Sequence, residues 1–487
     1  MSVRKLVDLR AAAREAMLRA GFEPDLSPEA REQLRALEGR GAGALDGVDA
    51  RDLRGLVWSS IDNVESRDLD QVEVAEQLPG GTIRVLVGVA DVDSLLGRGS
   101  PLDRHAGVNT TSVYTGVSIF PMLPEAISTG LTSLNEGEER LAIVIELEVT
   151  EDGVVSSHDV YRALLVNRAQ LDYDSVAGWL DGSGEAPAKV AASESLQRQL
   201  RLQDSAARAL RRQRVARGAL ELETIEATPV AKDGVITDLR VTRKSVARDL
   251  IEDFMIAGNV AMAQFLESKG SSSIRRVVKA PARWNRIVKL AGDMGESLPP
   301  DPDSGALARF LSKRRVADPD HFPDLSLSIV KLMGPGEYVL DRAGEPSGGH
   351  FGLAAEDYSH TTAPNRRFAD LVMQRLLKGV EKHTAAAYSD DELDAIAKRC
   401  TLMEDAAKKV ERLIRKKSAA QLLGDRVGQS FDAIVTGASE KGTYVRTLVP
   451  PVEGKVVRGS GGLDVGDRVR VTLVRADAEK GFIDFAR

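Results

Sequence analysis

The sequence predicts an α+β protein that ends in a small β-barrel. Three observations carry that expectation. Strand-like runs come first and helical patterns follow, which is not the repeating βαβ order of a doubly wound sheet. Residues 427–487 break into short strands, SFDAIVTGAS, KGTYVRTL, GKVVRG, DRVRVTLVRADAEKG and FIDFAR, joined by Gly-containing turns. That is the pattern of a five-stranded OB-type barrel. The chain has 487 residues, 43% hydrophobic and 29% charged, which excludes wholesale disorder and gives length for several domains.

The elements follow in order. Residues 1–40 read as two short amphipathic helices, the first placing Leu6, Leu9, Ala13, Met17 and Leu18 near one face. A Pro24–Pro28 break precedes the second, Glu29 to Leu37, and Gly39 to Gly47 is a Gly/Ala-rich linker. This segment reads as helices docked on the main domain or as a fragment of a nucleic-acid-binding module. LVWSSI is a buried strand ending at Asp62; an acidic stretch follows; TIRVLVGVADV is a second strand ending near Asp91. RLAIVIELEVT and EDGVVSSHDVYRALLV add strands, and Ser193 to Arg217 is an Arg-rich helix. Strands are expected at Gly218–Glu226 and Val235–Val241, then a long helix over Ser245–Glu267 and further helices to Arg426. The domain plan is 1–50 helical segment and linker, 51–380 main domain, 381–426 charged helical connection, and 427–487 barrel.

Net charge is −7, so overall charge does not attract nucleic acid, although a local basic channel is compatible with it. The single cysteine, Cys400, excludes an internal disulfide framework and points to a reducing compartment. The charged N-terminus lacks the apolar core of a signal peptide, and no apolar run is long enough to span a membrane. A soluble cytoplasmic protein is expected; oligomeric state is not legible.

Two segments carry chemistry. In SIDNVESRDLDQVEVAE, Asp62, Asp68 and Asp70 fall at a strand end and just after it. Carboxylates this close repel unless a cation neutralises them, and carboxylate oxygens select Mg²⁺ or Mn²⁺. Such a site fits metal-assisted phosphodiester hydrolysis. The alternative is a solvated acidic face, since Glu65, Glu73 and Glu76 add charges outside any ligand pattern. In HFGLAAEDYSHTTAPNRRFADLVMQRL, Pro364 is placed to start a helix capped by Thr361 or Thr362. Arg366, Arg367 and Arg375 then offer guanidinium groups to phosphate, or to salt bridges with Asp357 and Asp370. His350 and His360 read as structural rather than metal-binding.

These blocks resemble the ribonuclease II (RNB-domain) family of 3′→5′ exoribonucleases. DLRGLVWSSIDNVESRDLD resembles the family opening. The resemblance continues through VGVADVDSLLGRGSPLDRHA, NTTSVYTGVSIFPMLPE, ARGALELETIE, LIEDFMIAGNVAMAQ and the Arg366 segment, and the terminal barrel resembles an S1 RNA-binding domain. It implies an RNB-type catalytic domain over 51–380 and hydrolysis of single-stranded RNA to nucleoside 5′-monophosphates with Mg²⁺ or Mn²⁺ and no organic cofactor. Asp62, Asp68 and Asp70 match metal-binding acids, Asp70 the one with the most direct catalytic part and Asp68 a further catalytic acid. Arg366 matches the arginine at the scissile phosphate. Tyr114 matches a base-stacking aromatic, Glu252 an acid at the terminal nucleotide, and Glu411 a further acid; Arg367 and Tyr444 are expected to contact substrate.

There are departures from the family. The fourth acid is Gln71 and the second stacking aromatic is Leu222. Only about 50 residues precede the main domain, too few for the family's pair of N-terminal cold-shock barrels. Gln71 also permits a rival reading, an RNA-binding pseudo-nuclease without turnover. In the barrel, Phe431, Tyr444, Phe482 and Phe485 offer stacking surfaces or fill the interior, and Lys441, Arg446, Lys455 and Arg458 are candidates to track phosphates.

Overall fold

The computed structural model describes residues 7–40, 48–223, 226–232, 235–242, 244–319, 321–345, 348–382, 387–439 and 442–487. Its centre is a six-stranded sheet in the order Arg51–Asp52, Val155–Asp172, Trp58–Asp62, Gln71–Gln77, Ile83–Ala90, Glu139–Val149. The long Val155–Asp172 strand pairs on both edges. Val155 to Val166 run antiparallel to Glu139–Val149, and Asn167 to Asp172 run parallel to Trp58–Asp62. The sheet therefore curls back on itself. Both faces are covered, which is why these strands read as nearly continuous apolar runs.

One face is covered by the helices Glu194–Ala216 and Val246–Ser268, locked together by Arg211 and Arg214 against Asp249 and Asp253. Phe368–Glu381 packs beside Val246–Ser268, and its Gln374 Nε2 donates to Ala90 O at 2.7 Å. The acidic stretch after Asp62 contains a strand that the sequence reading missed, Gln71–Gln77. Its alternating Gln and Glu look solvated, but Glu73 is 0% exposed. The strand expected at Gly218–Glu226 is displaced: Gly218 turns with φ +100°, and the hairpin runs Glu226–Lys232 to Val235–Thr242.

The N-terminal helices, Leu9–Arg19 and Pro28–Arg40, dock on the main body. Ala13 and Met17 pack with Val113, Met403, Ala407 and Val410, and Ala30 joins the main core. Leu18 is 49% exposed, so it leaves the expected face, and Leu6 lies outside the described residues. The expected connection is the helix Asp390–Leu423, opened by a Ser389/Glu392 capping box. It buries a stripe from Leu393 through Cys400 and Ile414, then lends Ala419, Ala420 and Leu423 to the barrel core.

The barrel is closed in the order Ser430–Ser439, Gly442–Thr447, Glu453–Arg458, Phe482–Ala486, Arg468–Asp477. Phe431 and Phe485 fill it, with ring centroids 6.3 Å apart. Asp324 of the helix Phe322–Met333 accepts from Arg446 at 2.9 Å and Arg468 at 3.0 Å, clamping the barrel to the main body. Among the described residues, no helix is long and apolar enough to cross a membrane.

Candidate active site

The site forms where Trp58–Asp62 ends and Gln71–Gln77 begins. Asp62 closes its strand and accepts from Ser66 Oγ and the Asn63 N–H, both at 2.7 Å. Burial pushes its carboxyl above the usual range despite those donors, and Asp68 adds to the push. Asp70 is 3% exposed. Its Oδ1 accepts from the Asn365 N–H at 3.1 Å, and Arg366 Nε lies 3.5 Å from Oδ2. Burial raises Asp70 to about 7 although Arg366 opposes it.

The Arg366 segment differs from the expectation. The helix starts at Phe368 with Arg367 as its N-cap residue, not at Pro364. The amides before it serve carboxylates instead: Ala363 N–H donates to Asp370 at 2.8 Å and Asn365 N–H to Asp70. Thr361 bonds Asn259 rather than capping a helix. Thr132 Oγ1 donates to Asn365 Oδ1 at 2.6 Å, holding the turn. Arg366 is left 44% exposed beside Asp70.

Arg367, expected to contact substrate, is committed to Asp370 through bonds at 2.7 and 2.9 Å. Arg375 is likewise internal, bound to Asp93, Tyr388 and the Leu96 carbonyl. His360 is half-buried against Tyr338 and Tyr358, with Nδ1 2.8 Å from Tyr338 Oη. Burial and neighbouring arginines keep it neutral, as expected of a structural histidine.

Tyr114 sits in the hairpin Val113–Tyr114/Ile119–Phe120, 40% exposed, with its hydroxyl 3.4 Å from Asp68 Oδ2. Glu411 braces it by accepting the Tyr114 N–H at 3.0 Å. Glu252 is exposed on the helix Val246–Ser268, 3.4 Å from Lys244 Nζ. Leu222 packs at the edge of a helical core with Trp284 and Phe310 and presents no ring. In the barrel, Tyr444 is partly exposed with Lys416 Nζ 5.7 Å from its ring. Arg446, expected to track phosphate, is 6% exposed and bound to Asp324. Phe482 is 49% exposed, and Lys441 lies outside the described residues.

Sequence reading missed two residues. Asn365 supplies the amide that fixes Asp70; its only signal was adjacency to Arg366. Glu73 is fully buried, with neither carboxylate oxygen partnered among the described residues, beside Ser59 across the strand pair. Burial holds its carboxyl well above the usual range. The strands of Ser59 and Glu73 pair at that single position, and glutamines of Glu194–Ala216 fill the gap. Gln199 bridges the Val57 carbonyl and the Ala75 N–H, while Gln203 Nε2 reaches the Glu73 carbonyl at 3.5 Å.

Among the described residues, no three His, Cys, Asp or Glu side chains form a ready-made metal cage. Mg²⁺ does not need one: it keeps several waters and takes one or two carboxylates plus substrate phosphate. Asp62 and Asp70, both raised by desolvation, are the pair a cation relieves most, with Asp68 beside them.

A sheet-borne acidic site with an arginine and an exposed tyrosine, joined to an OB-type barrel, defines an RNB-type protein. The RNB domain family matches residues 50–383, and the RNase II-type exonuclease C-terminal S1 domain matches 429–487. The chain belongs to the RNB-domain family and carries an RNase II-type S1 domain.

Among its relatives, Ribonuclease R 1 of Lactococcus lactis is 28% identical over 468 residues, covering 89% of this chain and 56% of that protein. Ribonuclease R of Vibrio cholerae is 30% identical over 432 residues, covering 83% and 50%. The chain thus spans about half the length of these relatives. The fold matches Mycoplasma genitalium RNase R in complex with ribose-methylated single-stranded RNA, with TM-score 0.87, 21% identity and coverage of 98% and 78%. It also matches yeast Ssd1, a pseudonuclease, with TM-score 0.73, 18% identity and coverage of 93% and 56%.

Proposed function

We propose that this chain is a divalent-metal-dependent 3′→5′ exoribonuclease that hydrolyses single-stranded RNA to nucleoside 5′-monophosphates in the cytoplasm. The observation that carries the reading is the placement of Asp70 between the Asn365 amide and the half-exposed Arg366 guanidinium. A buried acid held this way is oriented, and the arginine beside it is free to meet a phosphate.

Asp62 and Asp70 would hold Mg²⁺ or Mn²⁺, with Asp68 at the edge. When bound, the cation neutralises these acids, polarises the phosphodiester and acidifies water. Arg366 donates to the non-bridging oxygens, where charge grows in the transition state. Tyr114 stacks on a base near the 3′ end, which suits a sequence-blind enzyme because every base has a π-face. Glu411 holds the Tyr114 backbone in place. Glu252 lies on the terminal-nucleotide side, and the Tyr444 face of the barrel grips RNA farther out.

The pseudo-nuclease reading rests on Gln71, a poorer ligand than a carboxylate. Asp70, Arg366 and Tyr114 favour the enzyme. Incubation of 5′-labelled single-stranded RNA with the protein in Mg²⁺ or EDTA tests this. Stepwise shortening in Mg²⁺ that stops in EDTA is expected. Undiminished cleavage in EDTA, or RNA held intact in Mg²⁺, refutes it.

A further inference from the structure

The helix Val246–Ser268 begins beside the acidic site. In its first turn Arg248 lies with its guanidinium carbon 4.3 Å from the Tyr173 ring centroid. Its Nη2 donates to Asn63 Oδ1 at 2.8 Å, and Asn63 in turn donates its N–H to Asp62 Oδ1 at 2.7 Å. Arg248 is thus one hydrogen-bonded residue away from a candidate metal-binding carboxylate.

Neighbouring cations in this region are neutralised. Arg211 pairs with Asp249 and Asp253, Arg214 with Asp253, and Lys244 with Asp249 and Glu252. Arg248 has a neutral amide partner and, among the described residues, no carboxylate partner. A guanidinium carries five N–H donors, so one bond to Asn63 leaves most of them for another acceptor. The group is partly exposed, and the Tyr173 ring holds its plane.

The sheet register sets the sides of the strand Gln71–Gln77. A Cβ at Gly88 would meet Val72 and Trp58, so Gln71 and Glu73 point to the opposite face. That face is covered by the helix Glu194–Ala216, which is ion-paired to the helix of Arg248. The Tyr173 hydroxyl is influenced by Asp62, Glu73, Arg248 and Arg366 together, so both arginines border the same acids.

We propose that Arg248 is a second phosphate-binding guanidinium of the active site, acting beside Asp62 on the RNA backbone in addition to Arg366. This rests on the exoribonuclease reading and deepens it. A guanidinium with, among the described residues, no carboxylate partner makes this side of the site more attractive to an anion. A preoriented guanidinium suits a phosphate oxygen better than a mobile ammonium.

The test is RNA binding by the full-length protein in EDTA, so that turnover does not enter. A fluorescent five-nucleotide oligoribonucleotide is titrated over a range of salt against wild type, Arg248→Gln and Arg248→Lys. Arg248→Gln is expected to weaken binding about tenfold, the scale of one charge-assisted bond. It should also reduce the magnitude of the log affinity–log salt slope by about 0.7, the value for one single-strand phosphate contact. Arg248→Lys keeps the charge and should keep the wild-type slope with part of the affinity. An unchanged slope in Arg248→Gln overturns the proposal. So does a lysine variant that loses the slope, because packing rather than charge would then matter. Should wild type show the full slope yet release no mononucleotide in Mg²⁺, hydrolysis fails while the phosphate contact stands.

Discussion

The backbone N–H of Asn365 donates to Asp70 Oδ1 at 3.1 Å, joining positions 295 residues apart in sequence. The bond ties the arginine-bearing turn to the first strand pair, so Arg366 and the central acid are positioned as one unit. Replacing Asp70 with Asn keeps the shape and removes the charge. Asp70→Asn should lower kcat by roughly a thousandfold or more, the scale of losing a principal catalytic group, with RNA affinity largely retained. Single-turnover kinetics beside a filter-binding assay check this; near-wild-type turnover would remove Asp70 from the centre of the site.

The same carboxyl makes a stability prediction. Asp70 is raised to about 7 in the folded protein from an ordinary value of 3.8, and Glu73 is raised well above 4.5, both by burial. The folded state therefore holds more protons than the unfolded state above pH ~4, and stability falls as pH rises from there toward 7. Metal-free Asp70→Asn and Glu73→Gln should each flatten this decline and raise Tm at pH 7.5. Thermal melts in EDTA between pH 5 and pH 8 decide it, and variants with the wild-type slope contradict it.

Tyr114 is exposed, braced by Glu411 and not backed by an aromatic at Leu222. Base stacking is worth about 1–3 kcal/mol per base, and with one ring this contact carries a larger share. Tyr114→Ala should lengthen the limit product and weaken binding of short oligomers more than long ones. High-resolution gels of the end product check it; an unchanged limit product would make Tyr114 a packing residue.

Asp324 holds Arg446 and Arg468 between the main body and the barrel. Arg446 is 6% exposed, so truncating Asp324 leaves a buried cation unpaired. Asp324→Ala should destabilise the barrel attachment by about 3–5 kcal/mol. It should also sharpen proteolysis near residue 427 without abolishing hydrolysis of short oligomers. Denaturant melts and limited proteolysis measure both effects, and wild-type behaviour in both would contradict the clamp.

Much of the fold was legible because burial leaves a pattern. The strands ending at Asp62 and Asp91, the helix over Val246–Ser268 and the five barrel strands all carry unbroken apolar runs or clean periodicity. Gln71–Gln77 was not legible, because a buried Glu73 and an amide break the apolar signal that marks a strand. The Pro364 turn was misread as a helix start because its amides are taken by Asp70 and Asp370, partners distant in sequence or hidden by the turn. In the site, residue types pointed to Asp62, Asp68, Asp70 and the arginines, and the family resemblance added Tyr114. They did not separate Arg366, half exposed, from its neighbour Arg367, spent on Asp370. Only packing makes that distinction.

Three carboxylates and a neutral Gln71 must suffice if the site turns over RNA. The direct measurement is release of nucleoside 5′-monophosphates from single-stranded RNA by wild type and Gln71→Asp across Mg²⁺ and Mn²⁺ titrations. A unit of negative charge next to Asp70 in sequence strengthens the hold on a nearby cation, so wild type should be active and Gln71→Asp should reach half-maximal rate at lower metal, with a smaller change at saturation. A wild type that releases nothing at any metal concentration, while Gln71→Asp hydrolyses the same RNA, would contradict the enzyme and leave an RNA-binding pseudo-nuclease.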